Sequence, residues 1–136
     1  MRAPLIAAVL LALPALAEEK GRLTFQIDST PGPVKAKKGE KGEVRFAIKP
    51  EGDAHVDPRA PMEIEVKAGG ALELVKQKLG YADGKENAAK ALEFQLPFTA
   101  KAAGLDAIKV HADFFLCNPK LCERQKADVT VAVVVE

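Results

Sequence analysis

Of the 136 residues none is tryptophan, one is tyrosine, two are cysteine and two are histidine. Two cysteines cannot build the multi-bridge framework of a small disulfide-stapled scaffold, and they do not by themselves complete a closed four-ligand zinc site. A surplus of charge is missing too, since 20 Lys and Arg stand against 19 Asp and Glu. The run "KAKKGEKGE" is basic but interleaved with Gly and Glu, and it reads as a solvated loop. A nucleic-acid surface, which needs clustered Lys and Arg, is therefore not expected. Neither a Gly-x-Ser-x-Gly nucleophile motif nor a phosphate-binding glycine pattern occurs, so hydrolysis is not indicated and no cofactor is implied. No apolar run reaches the roughly 20 residues that span a bilayer comfortably.

What is present begins with "MRAPLIAAVLLALPALAEEK". One Arg, a short apolar stretch from about Pro4 to Leu16, and the small-x-small site Ala15-Leu16-Ala17 ahead of charged residues form the pattern of a secretory signal peptide cleaved after Ala17. No cysteine follows closely enough for a lipid anchor. The expectation is export to a periplasm, where disulfides persist. Arg2 is the only charged residue that cleavage removes, so the mature chain, residues 18–136, stays balanced and is of ordinary size for one domain. Glu18 to Arg22 reads as a frayed leader.

Beyond the leader the dominant regularity is period two. Leu23, Phe25 and Ile27 alternate with polar residues, as do Val44, Phe46 and Ile48, then Met62, Ile64 and Val66, then Leu92, Phe94, Leu96 and Phe98. Ile108, Val110, Ala112, Phe114 and Leu116 continue the pattern, and Val129, Val131, Val133 and Val135 close it. Each run reads as a strand with one buried and one wet face. The intervening "STPGP", "KPEGDAHVDPRAP", "KAGG", "YADGKENAA" and "KAAGLD" are rich in turn residues. About seven short strands so punctuated predict an all-β, immunoglobulin-like antiparallel sandwich. "KENAAKALEF" is the one segment that competes for a short helix.

Both cysteines lie in "HADFFLCNPKLCERQ", His111 to Gln125. If the strand keeps register, Lys109, His111, Asp113, Phe115 and Cys117 share its outer face, so Cys117 is not expected in the core. Phe115 would be an aromatic ring beside an accessible sulfur, either covered by a loop or part of a docking patch. Asn118-Pro119 favours a turn, and the ends of a turned hairpin approach closely enough for a Cys117–Cys122 bridge. Closing so short a ring stabilises by only about 2 kcal/mol, which is poor reinforcement.

"FFLCNPKLCERQ" followed by a Val-rich final strand resembles the amino-terminal periplasmic domain of the thiol:disulfide interchange protein DsbD and its stand-alone relatives. The likeness extends back through "FAIKPEGDAHVDPRAPMEIEV" and covers Glu43 to Glu136, its specific part being the cysteine segment. One departure is Glu123-Arg124-Gln125, where family members often place Pro directly after the second cysteine. The resemblance implies an immunoglobulin-like domain that relays electrons by dithiol exchange, taking them from a membrane thiol:disulfide transporter and passing them to thioredoxin-fold periplasmic proteins. It also implies that the second cysteine meets partners, making Cys122 the attacking sulfur and Cys117 the resolving one. Phe115, Lys120 and Arg124 are the expected docking residues. Lys120 and Arg124 place positive charge near Cys122, which favours a thiolate, whereas Glu123 opposes it.

Two other readings stay open. A non-catalytic periplasmic binding or interaction domain could carry the same bridge as a structural element. His111, Cys117 and Cys122, with His55 from a loop, would be a soft ligand set for copper(I) or zinc, although the His111 to Cys117 spacing fits no compact motif. A monomer is expected.

Overall fold

The computed structural model describes residues 23–136. The expected signal peptide and its cleavage site lie outside the described residues. The strands in chain order are β1 (Phe25–Ser29), β2 (Val34–Ala36), β3 (Lys41–Pro50), β4 (His55–Val56), β5 (Glu63–Lys67), β6 (Leu72–Leu74), β7 (Lys78–Leu79), β8 (Lys85–Glu86), β9 (Leu92–Ala100), β10 (Gly104–Cys117) and β11 (Cys122–Val135). They form two sheets. One runs β1-β3-β9-β6 with β8 also on β9; the other runs β2-β11-β10-β5-β7 with β4 also on β10. The chain is therefore an all-β, immunoglobulin-like sandwich. One pair departs from the antiparallel expectation, because β2 runs parallel to the end of β11, Val34 beside Val133.

Each period-two run centres on a strand, with Leu23 and Met62 just ahead of theirs, and turns its apolar members inward. Val44, Phe46 and Ile48 of β3, Ile64 and Val66 of β5, Phe94, Leu96 and Phe98 of β9, and Ile108, Val110, Phe114 and Leu116 of β10 are all buried. Burying each such side chain contributes roughly 1.5–3 kcal/mol. Phe46 and Phe94 are direct cross-strand partners, and their rings stack at 4.9 Å. Phe114 of one sheet meets Phe25 of the other edge-on at 5.1 Å, tying the layers together beneath the cysteine hairpin. On β3, Gly42 stands opposite Phe98, whose ring lies over the space a Cβ would need.

"KENAAKALEF" forms no helix. Its Asn87 side chain accepts the N–H groups of Ala89 and Ala91, and the Asn87 N–H donates to the Ala91 carbonyl. That local capture of backbone by Asn competes with helix and makes a turn from β8 into β9. Of the five strands of two or three residues, β4 and β8 lie in segments that read as turns and β2 runs into "KAKKGEKGE", while β6 and β7 lie between residues 71 and 80, outside the alternating runs. Their pairing comes from tertiary contact with long neighbours, which short-range periodicity does not record.

Candidate functional site

β10 and β11 form a long hairpin in register from Gly104↔Val135 to Cys117↔Cys122. Its tip is closed by Asn118, whose N–H donates to the Leu121 carbonyl and whose side-chain oxygen accepts the N–H groups of Lys120 and Leu121, each at 2.9 Å. Pro119 supplies a fixed φ inside this turn. The cysteines thus stand directly opposite on neighbouring strands, with Cα atoms 4.0 Å apart, and they are joined by a disulfide. Cys122 opens β11, so the final strand starts well before Val129, the first member of its run of alternating valines.

The outer-face register of β10 holds, yet Cys117 is only 3% exposed. This corrects the expectation of an accessible sulfur at that position. The cause is β4, which adds to the free edge of β10 with Val56 opposite Leu116 and His55 opposite Cys117. The chain then turns at Asp57, whose N–H donates to the Phe115 carbonyl and whose own carbonyl accepts the Ala60 N–H. Val56 faces the core and His55 is exposed on the outer face. Cys122, by contrast, is exposed. The bridge is therefore asymmetric, with one buried cysteine and one exposed.

The covering residue Asp57 is the part of the site that the sequence reading missed. Its Oδ1 accepts the Arg59 N–H at 2.8 Å, and its Oδ2 lies 3.6 Å from Cys117 Sγ. The carboxyl is held below the ordinary aspartate range, chiefly by the Arg59 N–H, with burial opposing. While the bridge is intact Cys117 has no proton to give, so the 3.6 Å approach becomes a hydrogen bond only when the sulfur is a thiol. The ligand-type atoms of Asp57, Cys117 and Cys122 all lie within 4.8 Å of one another.

The other expected residues divide. Phe115 is half-buried on the outer face, in a shallow recess that also includes Pro61, Glu63, Asp113 and Arg124. It is partly covered, two residues from Cys117. Lys120 is exposed at the tip of the turn. Arg124 stands opposite Phe115 but is engaged in a two-pronged ion pair with Asp113, at 2.7 and 2.8 Å. That pairing lowers the Asp113 carboxyl and raises the Arg124 guanidinium. Arg124 is consequently not a free cation aimed at Cys122. His111 is bound to Asp128 at 2.7 Å, six residues up the strand and about 20 Å from the tip, so it does not join the cysteine cluster.

No family's sequence pattern and no curated protein matches the chain. Solved structures match in fold. A chain of the complex between Zinc 2-glycoprotein and prolactin inducible protein from human seminal plasma aligns with a TM-score of 0.50 at 10% identity, over 88% of this chain and 100% of that one. Domains 4 and 5 of the S-layer protein SbsC align at 0.47 and 15% identity over 85% of this chain, which spans about half, 54%, of that fragment. A conjugative transposon lipoprotein from Bacteroides eggerthii aligns at 0.44 and 19% identity, over 76% of this chain and 94% of its own. At 10% identity, the alignment at 0.50 shows a likeness of fold alone.

Proposed function

We propose that the protein is an exported, periplasmic thiol:disulfide exchange domain in which Cys117 and Cys122 relay electrons between other proteins. The observation that carries this reading is the asymmetry of the bridge, Cys117 buried and Cys122 exposed, at the tip of the long β10–β11 hairpin. Exchange needs one sulfur that a partner can reach and a second held beside it to resolve the mixed disulfide. In the reductive half, a partner dithiol's thiolate attacks Cys122 Sγ and the bridge breaks. Cys117 leaves, takes a proton and donates its S–H to Asp57 Oδ2. The partner's second thiolate then attacks its own bonded sulfur and frees Cys122 as a thiolate, so two electrons and one proton have entered the domain. In the oxidative half, the Cys122 thiolate attacks a target disulfide and releases one target thiolate, which takes the Cys117 proton; the Cys117 thiolate then attacks Cys122 Sγ, closing the bridge and releasing the second target sulfur as a thiolate.

Phe115, with its half-covered ring, and exposed Lys120 flank this tip and supply the docking patch, while Arg124 shapes its edge through Asp113. A membrane thiol transporter and thioredoxin-fold proteins are the partner classes that fit such chemistry. The alternative, a staple in a binding domain, is disfavoured by position. The bridge links residues that fourteen-residue strands already hold in register.

The test is trapping. Cys117→Ser leaves Cys122 as a lone exposed thiol with nothing to resolve its adducts, so mixed disulfides should accumulate several-fold over the level with Cys122→Ser. Acid-quenched periplasmic extracts run without reductant, followed by intact-mass analysis of the adducts, read both the partner and the start of the chain, expected at Glu18. Equal and negligible trapping by the two variants sinks the relay; a chain retaining Met1 sinks the export.

A further inference from the structure

We propose that the opened hairpin tip is a zinc site, with Cys117 Sγ, Cys122 Sγ and Asp57 Oδ2 as its three protein ligands and a fourth position left to water. The proposal rests on the bridge being reducible, but on chemical reduction only, not on any physiological partner.

The argument begins with the carboxylate. Asp57 Oδ1 is occupied by the Arg59 N–H, whereas Oδ2 is aimed at the Cys117 sulfur, 3.6 Å away. With zinc–sulfur and zinc–carboxylate bonds of about 2.3 and 2.1 Å at tetrahedral angles, the sulfur-to-oxygen edge of a site is about 3.6 Å. That edge therefore already exists. The sulfur-to-sulfur edge of the same tetrahedron is about 3.8 Å. The two sulfurs are covalently bonded, so reduction has to let them separate, and Cys122 is the member with room to turn, being exposed at the start of β11.

The third edge, from Cys122 Sγ to the carboxylate, starts within 4.8 Å and is set by the same turn of Cys122. Asp57 is held on its backbone by the Phe115 carbonyl and on its side chain by Arg59, so the carboxylate is positioned before any metal arrives. Two thiolates with a carboxylate suit zinc, whereas copper(I) favours an all-soft set. His55 stands opposite Cys117 on β4 but lies outside this cluster, and it is assigned no ligand role.

Opening the bridge with a trialkylphosphine breaks the S–S bond. Water supplies the oxygen of the phosphine oxide and the protons of two thiols, which zinc then displaces to the buffer. The experiment uses the mature chain reduced in this way, with a thiol titration confirming two free thiols. Cobalt(II) should bind one per chain with thiolate-to-metal charge-transfer absorption, zinc should displace it, and the oxidised protein should give neither signal. Competition against a chromophoric chelator should place Asp57→Asn at least about tenfold weaker than wild type, Cys122→Ser weaker still, and His55→Ala within threefold of wild type.

An unchanged thermal midpoint of oxidised Asp57→Asn establishes that its loss of affinity is not a loss of fold. Wild-type affinity in reduced Asp57→Asn overturns the ligand set, as does a tenfold loss in His55→Ala. Two free thiols without charge-transfer absorption overturn the site, and so does a bridge that the phosphine cannot open. Failure of thioredoxin-fold reductants to open the bridge strikes the relay reading and leaves the zinc site standing.

Discussion

Replacing both cysteines by alanine should leave the sandwich folded and only modestly less stable. The bridge closes a ring of six residues, Cys117 to Cys122, and loop-closure entropy over so short a ring amounts to about 2 kcal/mol. Nothing long-range is tied by it. The β10–β11 register extends from the bridge to Gly104↔Val135, and Asn118 closes the turn by three hydrogen bonds of its own. Truncating the covered Cys117 side chain adds packing loss of about 1 kcal/mol. The sum is about 3 kcal/mol, which for a domain of this size lowers the melting midpoint by roughly 10 °C. Urea unfolding followed by far-ultraviolet circular dichroism should give a lower midpoint with an unchanged m value, since the surface exposed is the same. Comparing oxidised with reduced wild type isolates the bridge itself. A loss near 5 kcal/mol, or a chain unfolded at 37 °C, would refute the reasoning and make the bridge a staple.

The register of β10 has its own test. Phe114→Ala removes a fully buried ring that also contacts Phe25 and should cost about 3–5 kcal/mol, whereas Phe115→Ala should cost much less and instead slow exchange with a partner. Equal destabilisation would contradict the facing assigned to these two rings. Acid provides another check, because Arg124 depresses the Asp113 carboxyl. The stabilisation is present above the unfolded aspartate value near pH 4 and is lost as pH falls through the lowered folded value, so Asp113→Asn should flatten stability against pH below about 4. An acid limb of unchanged slope in that variant removes the pair from the account.

The long strands and the core were legible because alternation is local. Val44, Phe46, Ile48, Phe94, Leu96 and Phe114 announce their facing within a few residues, and the twist and pairing of a sandwich follow from many such faces seeking cover. The cysteine pair was legible because Asn118-Pro119 makes the turn that brings the two together. Burial of Cys117 was not. It depends on β4, two residues inside "KPEGDAHVDPRAP", finding the edge of β10 some 60 residues later in the chain. Asp57 was invisible for the same reason: in sequence it is the polar residue before Pro58, and only the β4–β10 pairing sets its carboxylate against a sulfur. The cationic neighbourhood assigned to Cys122 changes at Arg124, which is two residues away in sequence yet diagonal to Asp113 across the hairpin, where the fork of its guanidinium is taken, while Lys120 stays exposed at the turn.

The reduction potential of the Cys117–Cys122 pair tests the central claim most directly. Equilibration of the purified mature chain with glutathione or thioredoxin-type redox buffers, with the thiol state read by alkylation and mass, gives the value. An exchangeable pair should come to equilibrium above roughly −300 mV, within reach of thioredoxin-fold partners, whereas a bridge that stays oxidised below that value is structural and contradicts the account.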